Sequence, residues 1–434
     1  MIQSISLNCN KYKGMQKLLM LGTSKGSCEM VEYAKSIGVH TIVTDPRSPQ
    51  ESRAKLISDE YWMIDTSDVD ALEKRCVEEK VTGVCCGIST FCIPVMMELC
   101  RRLNLPTYCT PESWHYTMNK YDFKALCRKN NVPVATDYFV SEQPTEEELS
   151  KIKFPVVVKA VDQSANRGMS YCNSVEDIIP AIEYAHTFSK NKNIVIERML
   201  KGVEYTAYYA LQDGEAKLVS LYSDLAQSGT PNNCYSVNST ACDKLGVYLK
   251  EVDPFFKNAI KEGGLKHGVC WIELILDEDG HFYVIEMGYR MTGDMMAIPL
   301  RDVYGFDSYK WLVEIALGVK HNLDDVSSQI DQKNTKCGCA YILWSNNTKG
   351  IVKTISGVEG IYLNGLAKVT PDLGEGHIYR AYQYLLTFTF LKDNVEQVCE
   401  MIDRINNEVS ILNEKGEDIA LRFTDFEELR RIGK

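Results

Sequence analysis

The stretch IELILDEDGHFYVIEMGYRMTGD, residues 272–294, has little freedom in how it folds. Two apolar runs flank Asp279-Gly280, a dipeptide favoured in tight hairpin turns, so the segment reads as two antiparallel strands. If that dipeptide is a two-residue turn, Glu278 pairs with His281, and counting outward brings Glu273 opposite Glu286. Cross-strand neighbours stand about 5 Å apart at Cβ, where two bare carboxylates repel each other. Any fold for this chain therefore has to bring positive charge to that pair.

A chain of 434 residues has room for two to three domains. Its hydrophobic fraction of 45% and charged fraction of 25% are those of an ordinary globular protein. The net charge of -11 argues against general attraction to nucleic acid or to an anionic membrane, and leaves room for a local basic pocket. No apolar stretch reaches the roughly 20 residues that span a bilayer, and the first sixteen residues hold no long apolar core. A soluble, cytoplasmic protein is expected. The sixteen cysteines are scattered through apolar runs such as VCCGISTFC, as reduced thiols would be. Cys337 and Cys339 would face the same way on a strand, but no further ligand lies at a metal-like spacing, so both read as buried thiols.

From Lys17 onward short apolar runs (KLLMLG, HTIVTD, TGVCCG) alternate with amphipathic segments, the pattern of βαβ units around a parallel sheet. The first run ends in GTSKG, Gly22–Gly26, with Asp45 after the second run. That spacing touches the dinucleotide fingerprint but lacks its third glycine, and a tight strand-to-helix turn is the stronger reading. Prolines and polar residues in LPTYCTPES suggest a boundary near residue 110. A basic amphipathic helix (120–130), an acidic loop with a short surface helix and the buried strand FPVVVKA follow. After the glutamate hairpin comes the helix SYKWLVEIALGV. A polar run then leads to a last unit of about 100 residues, strand-rich at first and closing with the helix EQVCEMIDRINNEV.

Charge placement carries the chemistry. Lys159 stands in an apolar strand that would not accept an ammonium group unless it met an anion. Lys120 opens a helix, an Asn-Arg-Gly turn closes at Gly168, and Glu197, Glu204, Glu273, Glu286 and Arg290 follow in order. A magnesium ion between Glu273 and Glu286 would remove their repulsion, since hard cations use carboxylate oxygens together with nucleotide phosphates. The lysines and the arginine would neutralise the remaining phosphate charge. Taken singly, each is more often a solvated or locally paired charge; together and in this order they point to a triphosphate site.

In this order the residues resemble the ATP-grasp superfamily, in the branch of biotin carboxylase, carbamoyl-phosphate synthetase and the L-amino-acid ligases. The resemblance runs from about Lys17 to the C-terminus and is strongest from Lys120 to Asp294. It implies an α/β chain with an N-terminal extension (1–16), a Rossmann-like pre-ATP-grasp domain (17–112) and an ATP-grasp domain (113–325). A smaller lid subdomain at about 130–198 and a C-terminal α+β lobe (326–434) complete it. Matching motifs assign ATP phosphates to Lys120 and Lys159. SANRGM, with Ser164, Arg167 and Gly168, takes the place of the loop that closes over them. Backbone at Glu197, Arg198 and Met199 would read adenine and Glu204 the ribose. Glu273 and Glu286 match the metal ligands for Mg2+, with Mn2+ as an alternative, and Arg290 matches the arginine that steadies the transferring phosphate. With Lys159 it forms the implied catalytic pair.

One position departs from the pattern. Where the family carries asparagine, two residues after the second glutamate, this chain has Gly288. A water could replace the missing amide ligand, Asp294 could swing in, or the metal site could be degraded, in that order of preference. The implied chemistry is ATP-dependent coupling of a small-molecule carboxylate, plausibly an amino acid, to an amine through an acyl phosphate. A bicarbonate-activating enzyme and a non-catalytic nucleotide-binding regulator are the alternatives. Tyr222–Tyr235 is a candidate for pocket lining, and homodimers are common in the family.

Overall fold

The computed structural model describes residues 16–140, 144–160, 168–189, 194–230, 234–331 and 336–433. The first apolar runs become β1 (Lys17–Leu21), β2 (His40–Thr44), β3 (Glu60–Trp62) and β4 (Gly83–Cys86), joined by helices into a parallel sheet of order β3-β2-β1-β4. Strands covered on both faces bury consecutive side chains, and for this reason KLLML shows no alternation. In the GTSKG turn Gly22 and Gly26 take φ of 74° and 82°. Asp45, the acid a dinucleotide would need, is already held by Lys55 at 3.0 Å and Arg47 at 2.9 Å. The turn is therefore the tight connection, not a nicotinamide cradle.

A second, four-stranded sheet is formed by β5 (Asp137–Tyr138), β6 (Val156–Ala160), β7 (Ser170–Cys172) and β8 (Ile194–Arg198), in the order β5-β8-β6-β7. It has an apolar cluster of its own, built from Val156, Val158, Ile178, Ile182 and Ile196.

The largest sheet has nine strands. It contains β9 (Gly202–Gln212), β10 (Glu215–Ala226), β11 (Tyr235–Ser239), β12 (Gly268–Asp277), β13 (Phe282–Gly288) and β14 (Cys337–Ser345). Of the later strands, β15 (Gly350–Ser356), β17 (Ile378–Tyr379) and β19 (Ser410–Asn413) make a separate small sheet. β16 (Lys368–Pro371), β18 (Tyr384–Lys392) and β20 (Ala420–Leu421) join the large one, whose order is β13-β12-β9-β10-β11-β14-β18-β16 with β20 on β14. The sheet thus runs unbroken past residue 326, because β11 hydrogen-bonds β14. Opposed residues of antiparallel strands share a face, so Glu286, Glu273, Thr206 and Tyr222 line one face, continued by Asp224 and Asn238.

The glutamate hairpin reaches its expected pairing by two compensating steps. Its loop has three residues, not two: Asp277 N–H donates to the His281 carbonyl at 3.0 Å, and Gly280 takes the left-handed conformation at φ 82°. The extra residue pairs Leu276 with Phe282 and Leu274 with Val284. A bulge at Ile285 then restores the register, and Glu273 faces Glu286 after all. Among the described residues every cysteine is a free thiol, and no helix is long and apolar enough to cross a membrane.

Candidate active site

The Asn119 side chain accepts from the Tyr121 and Asp122 N–H groups, which starts the helix Lys120–Lys129 and turns Lys120 toward β13. The Lys120 ammonium pairs with Glu286. One turn further on, Lys124 is 2% exposed and pairs with Glu197, whose other carboxylate oxygen meets Lys159 of β6 at 3.0 Å. The anion that lets Lys159 sit in an apolar strand is thus a glutamate of the neighbouring strand. Burial opposes ionisation of Glu197, but Lys159 and Lys124 outweigh it and hold the carboxyl down at about 2. Burial, with Lys159 as a near neighbour, brings Lys124 down to about 8. Sequence reasoning passed over Lys124; the signal was its four-residue spacing from Lys120, which puts both on one helix side.

The acid pair is stable because its members are treated differently. Burial and the facing carboxylates Glu286, Glu204 and Asp224 raise Glu273 well above the usual range. Burial acts on Glu286 too, but the Lys120 ammonium outweighs it and the carboxyl falls below its ordinary value. On the same face burial, with Asp294 and Glu204 nearby, raises Asp224 well above the usual range, although it accepts from Thr206 at 2.7 Å and from Asn238. Burial likewise pushes Glu204 up to about 7 against the hydrogen bond donated by Tyr235. This is a face of buried carboxylates that has more acid than its cations neutralise.

Gly288 has a physical reason. It lies opposite Trp271, and a Cβ on Gly288 would overlap Cε2 and Cζ2 of that indole and stand 2.7 Å from Nε1. The place where an asparagine Cβ would stand is filled by a ring. Nor does Asp294 swing in: its carboxylate accepts from Tyr222 (2.8 Å), Thr292 (2.6 Å) and the Met296 N–H (2.9 Å). Arg290 places its guanidinium over the same indole, 5.2 Å from the ring centroid, and donates from Nη1 to the Met291 carbonyl at 2.8 Å.

Of the remaining expected residues, Arg198 and Met199 have their N–H groups engaged, with the carbonyls of Thr136 and Pro155, and the Arg198 guanidinium pairs with Asp277. Gly168 takes φ 71° and lies where a Cβ would crowd Phe188 at 3.0 Å. Ser164 and Arg167 fall outside the described residues, as does part of the Tyr222–Tyr235 stretch. The two tyrosines that bound that stretch both turn to the acid face, toward Asp294 and Glu204. The N-terminal parallel-sheet region contributes a cation that the sequence did not announce. Lys25 of the GTSKG turn pairs with Asp372 at 2.8 Å, lies 3.3 Å from Thr387 Oγ1 and stands 4.0 Å from the Tyr384 ring centroid.

Comparison with known proteins bears on the fold. Residues 152–298 match the family described as ATP-grasp domain. The chain thus carries an ATP-grasp domain. It is 29% identical over 191 residues to a formate-dependent phosphoribosylglycinamide formyltransferase of Prochlorococcus marinus, covering 43% of this chain and 48% of that one. It thus spans about half the length of such curated relatives. Among solved structures it resembles the phosphoribosylglycinamide synthetase of Anaerococcus prevotii, with a TM-score of 0.73 at 22% identity over 92% of this chain and 100% of the other. The L-amino acid ligase of Bacillus licheniformis gives 0.72 at 19% identity, over 93% and 100%. At these identities the structures establish the shared ATP-grasp fold, with its N-terminal parallel sheet and antiparallel sheets beyond.

Proposed function

We propose that the protein is an ATP-dependent carboxylate–amine ligase that activates a small-molecule carboxylate, plausibly an amino acid, as an acyl phosphate. A carboxylate oxygen attacks the γ-phosphorus, the bond from that phosphorus to the ADP oxygen breaks, and ADP leaves. The amine then attacks the acyl carbon, the carbon–oxygen bond to phosphate breaks, and the amine gives up a proton. Carboxylate and triphosphate are both anions, so their approach needs cations placed in advance. Lys120, Lys159 and Arg290 are assigned that task, Lys120 by exchanging Glu286 for phosphate oxygens. Ser164, Arg167 and Gly168 are assigned to the loop over the phosphates, the 197–199 segment to adenine and Glu204 to ribose.

The observation that carries the reading is the buried pair Glu273–Glu286, face to face across β12 and β13 with only Glu286 held by Lys120. An under-neutralised carboxylate pair fits a divalent cation. Among the described residues no group of three or more His, Cys, Asp or Glu side chains is arranged to hold a metal by itself. Two carboxylates suit Mg2+ (or Mn2+) that arrives with nucleotide, because phosphate oxygens and waters complete its shell. Bound there, the ion would neutralise phosphate charge during transfer. We assign residues 17–112 to a pre-ATP-grasp domain, 113–325 to the ATP-grasp domain with a lid at about 130–198, and 326–434 to a C-terminal lobe. The free thiols suit a cytoplasmic location.

The test is ADP and phosphate release by purified protein given ATP and Mg2+ with pools of amino acids, hydroxy acids or bicarbonate. Release that requires both a carboxylate and an amine is expected. Stimulation by bicarbonate alone, or nucleotide binding without turnover, would remove the ligase reading.

A further inference from the structure

Two N–H donors on the acid face are buried without partners: Trp271 Nε1 and Arg290 Nε. Trp271 is 5% exposed, and the guanidinium lies over its ring. Leaving a buried donor unpaired is costly, so two of them on stacked side chains call for an acceptor. Nearby carboxylates do not fill the role: Glu286 is committed to Lys120 and Asp294 to Tyr222, Thr292 and Met296. Two other buried indoles, Trp114 and Trp311, also lack a partner at Nε1, but among the described residues no lysine or arginine lies over either ring, and Trp311 is stacked on His321.

Positions 271 and 288 are a single choice. The indole fits only because position 288 has no Cβ, and the exchange reverses the chemistry of the spot. An amide oxygen offers lone pairs to a metal; an indole N–H offers a proton and accepts nothing. The geometry points to Trp271 Nε1 and Arg290 as a donor pair for the oxygens of the carboxylate being activated, so that a metal ligand has been replaced by a substrate ligand. This rests on the ligase reading. The donors are held in advance: the Tyr289 N–H donates to Thr117 Oγ1 at 3.0 Å and its hydroxyl donates to the Tyr108 carbonyl at 2.8 Å, which fixes the backbone just before Arg290. Strand pairing fixes Trp271 on the same face as Glu273, two residues away.

The chain has five tryptophans, so an indole 1H–15N spectrum is simple enough to read residue by residue. Trp271→Phe identifies the Trp271 signal, and Trp271→Tyr serves the same purpose if the first variant fails to fold. With MgADP present, acetate is expected to move that signal while those of Trp114 and Trp311 stay in place. Trp271→Phe is expected to weaken acetate binding about tenfold, the loss of one hydrogen bond to a charged group, with MgADP affinity unchanged. If MgADP binds but neither acetate nor inorganic phosphate moves the Trp271 signal, the donor assignment is wrong and the ligase reading stands. A response to phosphate without one to acetate overturns the carboxylate assignment. Absence of MgADP binding in calorimetry removes the nucleotide reading and this inference with it.

Discussion

Gly288→Asn puts a side chain where the Trp271 indole already lies. The new Cβ would stand 2.7 Å from Nε1 and overlap two ring carbons, so either β13 shifts or the indole leaves its place. Overpacking a tight site costs about 1–3 kcal/mol. Expelling a 5% exposed indole forfeits much of the roughly 3–5 kcal/mol that a buried Trp contributes, along with about 0.5–2 kcal/mol from the guanidinium on its face. A destabilisation of about 2–4 kcal/mol follows, which at roughly 2–4 °C per kcal/mol lowers the melting temperature by about 4–16 °C. The assay is thermal unfolding of Gly288→Asn, Trp271→Ala and the double variant. The double variant is expected to be more stable than the sum of the singles allows, since residues in contact do not act additively. If Gly288→Asn melts within a degree of the parent protein, the indole does not fill that space and the account of Gly288 is wrong.

Glu286→Gln is expected to abolish ADP release while nucleotide binding, followed by calorimetry, stays within a few fold; undiminished turnover would take Glu286 out of the metal site. Glu197→Gln leaves two buried ammonium groups facing a neutral amide and should cost about 3–5 kcal/mol in denaturant unfolding; a cost near zero would mean that solvent reaches the lysines. The pH dependence has a definite sign. Glu197 is held at about 2 when folded, against 4.5 unfolded, so its contribution is complete above pH 4.5 and lost as pH falls toward 2. In Glu197→Gln that loss should be absent from the pH–stability curve. Lys25→Met strands the Asp372 carboxylate, and lower thermal stability with unchanged nucleotide affinity is expected; weakened nucleotide binding would instead place Lys25 at the phosphates.

Much of the fold was legible because it is local. Alternating apolar runs marked the parallel sheet, and the helix expected to open at Lys120 starts there. The pairing of Glu273 with Glu286 was legible too, although the two-residue turn behind it was not what the hairpin uses. A three-residue loop and a bulge each move the register by one, and sequence pattern alone does not show two errors that cancel. The rest depended on contacts between distant segments. Lys124 and Lys159 find each other only through Glu197, on a third element. Trp271 reads in sequence as one more apolar strand residue, and Gly288 as a lost ligand. Only their apposition across two strands shows that one residue is the reason for the other.

The continuity of the large sheet has a practical consequence for cutting the chain. A fragment ending near residue 325 would keep β11 but lose β14, its hydrogen-bonded neighbour. The exposed backbone of Tyr235–Ser239 would then be an open edge, a template on which a second fragment can add its own strand. Such a fragment should form oligomers through strand addition, so that region is a poor candidate for expression in isolation and truncations belong beyond β18.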